Sequence, residues 1–203
     1  MPRSALAGKP RKRFTPEEYI RLERAALEKS EYYEGEIFVV EGARANHCIV
    51  AGNILACLLF WLRKQGFQAF TSDMKMAITP QGPFFYPDVS VACGERKFLR
   101  GRRDILLNPV IIVEVLSKST QRYDREIKLK EYQRISTVDA VLLASSERPA
   151  VDVHTREGRV WKHHTVSGFD KLIELPSPKC VLALADIYEG VDFAGAAQPK
   201  AIR

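Results

Sequence analysis

The segment VIIVEV at residues 110–115 is the strongest strand signal in the chain. Five of its six side chains are β-branched, and they are apolar on both faces of an extended backbone. Such a strand is normally central in its sheet, because both of its faces are covered. The exception is Glu114, whose carboxylate is costly to bury without a partner. Either it reaches solvent at the strand end, or it pairs with a cation or binds a metal, and the strand alone leaves both open.

The segments around this strand predict a mixed sheet flanked by helices. A helix at residues 122–134 and a strand at 140–144 follow it, and the order strand, helix, strand implies a crossover within one sheet. The helix predicted at 44–64 is apolar on more than one side, which indicates a buried central helix. The other predicted elements are a helix at 16–29 and strands at 36–40, 67–70, 74–78, 89–93, 151–155, 160–164 and 171–174, the last three in antiparallel hairpins. The predicted class is α/β of the mixed α+β kind.

The length of 203 residues, with 46% hydrophobic and 28% charged residues, indicates one domain. We place it at residues 14–192, with a disordered basic arm at 1–13 and a flexible tail at 193–203. The net charge of +6 is carried by these ends, because without their seven basic residues the body has 24 basic and 25 acidic residues. Such an arm suits nonspecific nucleic-acid binding, but a solubilising role is favoured, since charge alone identifies no partner.

The four cysteines include no CxxC pair and no suitably spaced histidine; they are Cys48, Cys57, Cys93 and Cys180. A zinc site or a disulfide framework is therefore not expected, and free thiols indicate a reducing compartment. The basic start is followed by Phe-Thr-Pro at residues 14–16 rather than by the apolar core of a signal peptide. The longest apolar run, at residues 49–62, is too short to span a bilayer. We therefore expect a soluble, cytoplasmic protein with no membrane partner.

Two further polar side chains are candidates to join Glu114. Asp88 precedes the strand at 89–93, and taken alone it would be a turn residue. However, adjacent strands lie roughly 4.8 Å apart, so carboxylates at the ends of two such strands could share one divalent ion. Lys128 lies in the predicted helix with Asp124 and Tyr132 at a spacing of four, along one face. If that helix packs beside the strand, Lys128 would stabilise a phosphate or help to deprotonate water. Otherwise Asp124 and Lys128 form an ordinary solvated pair.

These motifs together resemble a known family. They are Pro-Asp-Val at 87–89, Asn-Pro-Val-Ile-Ile-Val-Glu-Val-Leu-Ser-Lys-Ser-Thr at 108–120, and then Asp124, Lys128 and Tyr132. They resemble the Uma family of restriction-endonuclease-like proteins, in the PD-(D/E)XK nuclease superfamily, and the likeness runs over roughly residues 14–190. At the front end, Tyr-Glu-Gly-Glu-Ile at 33–37 and His47 fit the same pattern. The chain departs from it at Lys118, where the family has a proline.

The resemblance implies a restriction-endonuclease-like sheet with a metal-dependent nuclease site. In that site Asp88 and Glu114 would bind Mg²⁺ or Mn²⁺, with the backbone carbonyl of Val115 as a further ligand. Lys128 would be the catalytic lysine, moved from the strand to the helix, since Leu116 stands where the superfamily's strand motif has a lysine. The implied partners are nucleic acid, above all DNA, and a second copy in a homodimer. Supporting roles would fall to Glu34, His47, Ser117, Asp124 and Tyr132.

The loop between the two site strands carries a run of basic residues: Arg96, Lys97, Arg100, Arg102 and Arg103. A charge run is ordinarily a solvated face. We expect this loop to lie near the site, where its side chains would contact substrate phosphates, and both interpretations stay open. His154 is expected on the surface of a strand, and His163 and His164 point to opposite faces and make a poor ligand pair.

Two other functions are compatible with the same residues. One is a catalytically silent nuclease fold that binds nucleic acid or serves as an assembly module, which the absence of net positive charge on the body supports. The other is a metal-dependent hydrolase of a different phosphate substrate. Cleavage assays on DNA and RNA separate the first from an enzyme, and a panel of nucleotides with Mg²⁺ and Mn²⁺ separates the second from a nuclease.

Overall fold

The computed structural model describes residues 12–99 and 103–193. Its helices are α1 (Pro16–Ala25), α2 (Ala45–Leu62), α3 (Gln121–Tyr123), α4 (Leu129–Arg134) and α5 (Leu184–Ile187), with a 3-10 turn at Arg63–Gln65 and a π-helical segment at Asp124–Lys128. Its strands are β1 (Ser30–Tyr33), β2 (Glu36–Val39), β3 (Phe67–Thr71), β4 (Lys75–Ala77), β5 (Phe84–Phe85), β6 (Val89–Cys93), β7 (Ile105–Leu106), β8 (Pro109–Leu116), β9 (Ala140–Ser145), β10 (Ala150–Glu157), β11 (Val160–Ser167), β12 (Leu172–Pro176) and β13 (Lys179–Ala183). Most of the predicted basic arm and of the predicted tail lies outside these residues.

The larger sheet has six strands in the order β11-β10-β9-β8-β6-β3. Strand β8 lies in its interior, parallel to β9 and antiparallel to β6, and seven of its eight residues are buried. The segment α3–α4 forms the crossover between β8 and β9. The predicted fold class, a mixed sheet with flanking helices and antiparallel hairpins, is confirmed, and so is the central place of this strand.

The two faces of β8 lie against different layers. Ile111, Val113 and Val115 pack in one core with α2, α5 and the β12–β13 hairpin. Ile112 and Leu116 belong to a second core, which includes Tyr132 of α4. Because side chains alternate along a strand, Glu114 points to the same side as Ile112 and Leu116. The one acidic residue of the strand therefore faces the crossover helices.

The smaller sheet, in the order β2-β1-β5-β4-β7, covers the crossover helices from the other side. One of its faces packs on α1, where the ring of Tyr19 stacks on Tyr32 and Phe84 with centroids 5.2 and 5.3 Å apart. From the opposite face, Phe85 and Tyr33 pack into the core around Tyr132. The α3–α4 segment is therefore enclosed between two sheets, and a polar side chain on it can be deeply buried.

The start of α1 follows from a capping box, in which the Thr15 hydroxyl accepts from the Glu18 backbone and the Glu18 carboxylate accepts from the Thr15 backbone. The helix ends at Ala25, four residues before the predicted end, because residues 30–33 form β1. Strands β1, β5, β7 and β13 are absent from the sequence interpretation. They are two to five residues long, too short for a clear alternation of polar and apolar side chains.

Helix α2 buries one row of side chains, at Val50, Ile54, Leu58 and Leu62, and leaves its other side open. Phe60 is 79% exposed, so the prediction of a helix buried on more than one side is wrong. By length and composition alone its 18 residues, of mean hydropathy 1.7, could cross a membrane, contrary to our expectation from the apolar run. The buried row nevertheless packs on β6, β8 and β9, as the core helix of a soluble domain does.

His154 is not a surface residue as expected, because it is 8% exposed on β10. Its ring stacks on His163 with centroids 4.5 Å apart, and its Nε2 has no hydrogen-bond partner within the described part of the chain. Burial above all, and then the neighbouring His163, lowers the pKa of His154 to about 4, with smaller contributions from Arg125 and His164, and Asp152 acts in the opposite direction. His154 is therefore neutral in the folded protein at pH 7.

We expect this histidine to make the fold sensitive to acid. Because its pKa is lower in the folded than in the unfolded chain, its contribution to stability is full above about pH 6.5 and is lost as the pH falls towards 4. The loss should be on the order of 2 kcal/mol. Urea unfolding of the parent and of His154→Leu, at pH 7 and pH 4.5, measures it. His164→Gln, on an exposed side chain, should keep the parent's slope, and an equal slope in His154→Leu would contradict the assignment.

Candidate active site at the end of the central sheet

Glu114 is buried against a cation and a hydroxyl. It is 3% exposed, and its Oε1 accepts hydrogen bonds from Lys128 Nζ at 3.1 Å and from the Tyr132 hydroxyl. Burial raises the pKa of Glu114 well above its usual range; Lys128 opposes this, and the acidic neighbours Asp124, Asp88 and Glu31 add to it. Of the two interpretations that the sequence left open, the structure shows the paired carboxylate.

Lys128 lies among three carboxylates. Its Nζ is 2.8 Å from Glu31 Oε1, 3.1 Å from Glu114 Oε1 and 3.7 Å from Asp124 Oδ1, and all four side chains are buried. Burial alone would lower the pKa of Lys128, but the attraction of Glu114, Glu31 and Asp124 outweighs it and holds that pKa well above its usual range. The ammonium is therefore the internal counter-charge of an acidic site, and Asp124–Lys128 is not a solvated pair.

Asp88 lies beside this group, and its side chain is 16% exposed. The pairing of Val89 with Val113 places Asp88 opposite Glu114 on the antiparallel neighbour strand. One of its oxygens accepts from the backbone N–H of Val115 at 2.7 Å, and the other is 2.8 Å from His47 Nε2. Burial raises the pKa of Asp88, while the bond from Val115 and the charge of His47 lower it. The structure thus brings Asp88, Glu114 and Lys128 together, and His47 of α2 is hydrogen-bonded to Asp88.

The crossover helix is not regular where it meets the site. Residues Asp124–Lys128 form a π-helical turn, closed by a bond from the N–H of Leu129 to the carbonyl of Asp124. A regular helix was expected here. Single π turns inside helices are often found at functional sites, because they shift side chains relative to the rest of the helix. Asp124 and Lys128 are both buried in this turn, and Tyr132 follows on the same side.

Glu31 is a member of this site that the sequence analysis missed. Its Oε1 also accepts from the backbone N–H of Tyr86 at 2.9 Å, which fixes the carboxylate beside Lys128. The sequence interpretation chose Glu34 of the same hairpin, but Glu34 is exposed in the turn between β1 and β2, with a φ of 49°. The signal for Glu31 was its spacing of two from Tyr33, which puts both on one face of a strand.

Side-chain hydrogen bonds order the loop between β8 and α3, which begins with Ser117. The hydroxyl of Ser117 lies 3.0 Å from that of Thr120 and 3.1 Å from that of Ser119. The backbone N–H of Ser117 donates to the Thr120 hydroxyl, and the backbone N–H of Thr120 donates to the Ser117 hydroxyl. Thr120 also donates to Asp124 and helps to lower the pKa of that buried carboxyl, which its burial raises overall. The loop therefore connects the end of β8 directly to the buried cluster.

The described parts of the basic loop, up to residue 99 and from residue 103, do not lie beside the site, and for these parts that expectation is wrong. Asp88 precedes the first residue of β6, whereas the loop follows its last residue, Cys93, about 16 Å further along the strand. Lys97 and Arg103 are exposed there, and Arg103 lies over the ring of Phe98 at 5.5 Å. Arg100 and Arg102 lie outside the described residues. A role of the loop in phosphate contact would need a substrate that extends along the sheet.

Comparison with known proteins places this fold and these residues in a family. The family model Uma2, described as "Putative restriction endonuclease", matches residues 16–185. Two uncharacterized proteins of Synechocystis sp. are similar to the chain: slr1290 is 31% identical over 91% of this chain and 96% of its own length, and sll1609 is 34% identical over 79% and 91%.

The fold also has a solved relative. The crystal structure of a "putative nuclease belonging to DUF820" from Anabaena variabilis aligns with a TM-score of 0.69 over 86% of this chain and 97% of that one. At 19% identity this likeness concerns the fold alone. The expected resemblance is confirmed by the match over most of the chain. The chain belongs to the Uma2 family of restriction-endonuclease-like proteins.

Proposed function

We propose that this protein is a divalent-metal-dependent nuclease that hydrolyses phosphodiester bonds in nucleic acid. The observation that carries the proposal is a group of four carboxylates at one end of the central sheet, three of which contact the ammonium of Lys128. They are Glu31, Asp88, Glu114 and Asp124. With all four acids ionised, one ammonium leaves an excess of negative charge, and a further cation would favour their ionised forms.

The donor chemistry of this group fits Mg²⁺ or Mn²⁺, which bind through one or two carboxylates plus water and a substrate phosphate. Asp88 and Glu114 are the ligands we assign, because they lie opposite each other on neighbouring strands. Within the described ranges, no three acidic, histidine or cysteine side chains already form a metal-binding arrangement. In this structure Lys128 donates to Glu114, and Asp88 is bonded to His47 and to the backbone N–H of Val115. Metal binding would therefore exchange one of these contacts.

The roles of the protein's own groups follow from these contacts. A bound metal would lower the pKa of a water molecule and offset negative charge on the scissile phosphate. His47 keeps the carboxylate of Asp88 in place, and Tyr132 does the same for Glu114. Lys128, which contacts the cluster, would bind a phosphate oxygen or steady the attacking water. We keep the carbonyl of Val115 as a proposed further ligand.

We propose DNA as the substrate, in line with the description of the family as restriction endonucleases. Because the body of the protein has no net positive charge, binding should be weak and should depend on salt. The free cysteines are compatible with a reducing cytoplasm. The homodimer that the resemblance implies has no part in this mechanism. A catalytically silent binding module remains the alternative, and the test below separates the two.

Metal binding and cleavage by the parent protein and by Asp88→Asn test this function. Calorimetry should show Mn²⁺ uptake by the parent and a loss of affinity of about tenfold or more in the variant, because one of two ligands becomes neutral. Gel assays on single- and double-stranded DNA and RNA should show cleavage with Mg²⁺ or Mn²⁺, none with chelator, and none by the variant. Asp170→Asn, which alters an exposed carboxylate paired with Lys171, is the control. Metal uptake without cleavage would favour the silent module.

A further inference from the structure

A second buried charged cluster lies between the smaller sheet and α1. Lys75 of β4 forms an ion pair with Glu23 of α1, and their side chains are 3% and 9% exposed. The Tyr86 hydroxyl donates to the other oxygen of the same carboxylate. The ammonium of Lys75 also lies over two aromatic rings, 5.2 Å from the centroid of Tyr19 and 5.4 Å from that of Tyr86. Glu23 therefore fixes both a lysine and a tyrosine relative to α1.

Stability alone does not account for this cluster. An ion pair taken out of water gains little over apolar side chains of similar size, because the desolvation of both charges offsets their attraction. Burial lowers the pKa of Lys75, although the hydrogen bond and the charge of Glu23 oppose this. A buried pair can instead specify a geometry, since each charge has to keep its partner. Tyr86, which shares the carboxylate with Lys75, takes its position from that geometry.

Tyr86 connects this cluster to the candidate active site. Its side chain points to α1, whereas its backbone N–H donates to Glu31 Oε1 at 2.9 Å. The same oxygen of Glu31 lies 2.8 Å from Lys128 Nζ. Tyr86 is also the first of the three residues between β5 and β6, and the third of them is Asp88. One residue is therefore linked to two of the four carboxylates, to Glu31 by a hydrogen bond and to Asp88 along the backbone.

The connection from Tyr86 to Asp88 has little conformational freedom. Pro87 fixes its own φ at about −65° and restricts Tyr86, the residue before it, to extended conformations. The connection is held at one end by the Tyr86 hydroxyl and at the other end by β6, which pairs with β8. A shift of the Tyr86 ring would therefore move the backbone next to Asp88 and the N–H that holds Glu31.

We propose that Tyr86 is a positioning residue of the active site, which Glu23 and Lys75 anchor and which places Asp88 and Glu31 for metal binding. This inference rests on the proposed function. Groups that hold metal ligands in place raise metal affinity without touching the metal, because a ligand that is free to move has to be ordered when the metal binds. The expected sign of such a role is a loss of metal affinity, with a much smaller change in the cleavage rate at saturating metal.

Calorimetry with Mn²⁺ on the parent, Tyr86→Phe and Tyr188→Phe tests the proposal. Phenylalanine at position 86 removes the hydrogen bond to Glu23 and keeps a ring beside the Lys75 ammonium. The dissociation constant for Mn²⁺ should rise by about tenfold in Tyr86→Phe. Tyr188→Phe is the matched control, because its buried hydroxyl bonds to Ala150 in the core on the other side of the central sheet. It should bind Mn²⁺ as the parent does, and circular dichroism would verify that both variants fold.

Hydrogen exchange followed by NMR gives a second test in the metal-free protein. The amide at position 86 reports the bond to Glu31, and the amide of Val115 reports the bond to Asp88. In Tyr86→Phe both should exchange faster relative to the amides of β9, by on the order of tenfold. Tyr188→Phe should keep the parent's ratio, because a general loss of stability speeds the exchange of all these amides alike.

Each result of these measurements decides the matter. Equal Mn²⁺ uptake by the parent and Tyr86→Phe, or an unchanged exchange ratio, overturns this inference and leaves the proposed function standing. A parent that takes up no Mn²⁺ overturns the proposed function and this inference with it. At saturating Mn²⁺, Tyr86→Phe should cleave DNA within about threefold of the parent's rate. A loss of rate that excess metal does not restore would mean that Tyr86 acts in the chemical step, and it would overturn the positioning role.

Discussion

Lys128→Met should lower the free energy of unfolding by about 3–5 kcal/mol at neutral pH. The lysine is buried among Glu31, Glu114 and Asp124, and methionine keeps most of its length but not its charge. Without the ammonium, three buried carboxylates repel one another, and each must be ionised at a cost or take up a proton. Urea unfolding followed by circular dichroism measures the change. Because the same ammonium is our proposed phosphate contact, DNA cleavage should be lost as well.

Lys130→Met is the control for this effect, because Lys130 is exposed on the same helix two residues away. Its stability should be within about 0.5 kcal/mol of the parent. A Lys128→Met variant as stable as this control would mean that the carboxylates are not ionised around the lysine. A second measurement sharpens the test: adding Glu114→Gln to Lys128→Met should restore part of the lost stability, because it removes one of the uncompensated charges.

The main features of this site could be predicted from the sequence because they are local. An acidic residue in an apolar β-branched strand, as at Glu114, is a candidate for a buried charge, although the strand alone leaves a solvent-exposed carboxylate open. A helix between two strands that pair in parallel packs against the sheet, so a face of it, here the one with Lys128, can point to Glu114. Asp88 follows from the same reasoning, since β6 and β8 are neighbours in the sheet.

What the sequence interpretation missed depends on contacts between distant segments. Glu31 reaches Lys128 only because a second small sheet covers the crossover helix, and no local pattern predicts how those four-residue and two-residue strands pair. His154 is buried for a similar reason, since β10 has a neighbouring strand on both sides and β11 lies at the edge. The basic loop is a different case. Strands β6 and β8 are antiparallel, with Asp88 at the start of β6 and Glu114 near the end of β8. The loop that joins the end of β6 to the start of β8 therefore lies at the edge of the sheet away from these two acids.

Glu114→Gln should abolish cleavage without lowering stability. Its buried carboxylate has a raised pKa, so its favourable contribution to folding is fully present below the unfolded pKa, near 4.3, and is lost as the pH rises through the folded value. Glutamine is neutral at every pH and can still accept from Lys128 and Tyr132, so at pH 7 the variant should be as stable as the parent or more stable by about 1 kcal/mol. Cleavage should fall by about 10³-fold or more, because a metal ligand has lost its charge.

The different effects of Lys128→Met and Glu114→Gln on stability distinguish a functional carboxylate at position 114 from a structural one. A structural Glu114 would be kept for its ion pair with Lys128, and its replacement would destabilise the fold, as the loss of Lys128 does. A buried carboxylate that lowers the stability of the fold at neutral pH indicates that its charge serves the function of the site. Differential scanning calorimetry and the cleavage assay on the same preparation decide between the two. Glu131→Gln, a replacement in α4 that leaves the cluster intact, should preserve cleavage. If Glu114→Gln is destabilised by several kcal/mol and still cleaves DNA, Glu114 belongs to the scaffold and the metal site lies elsewhere.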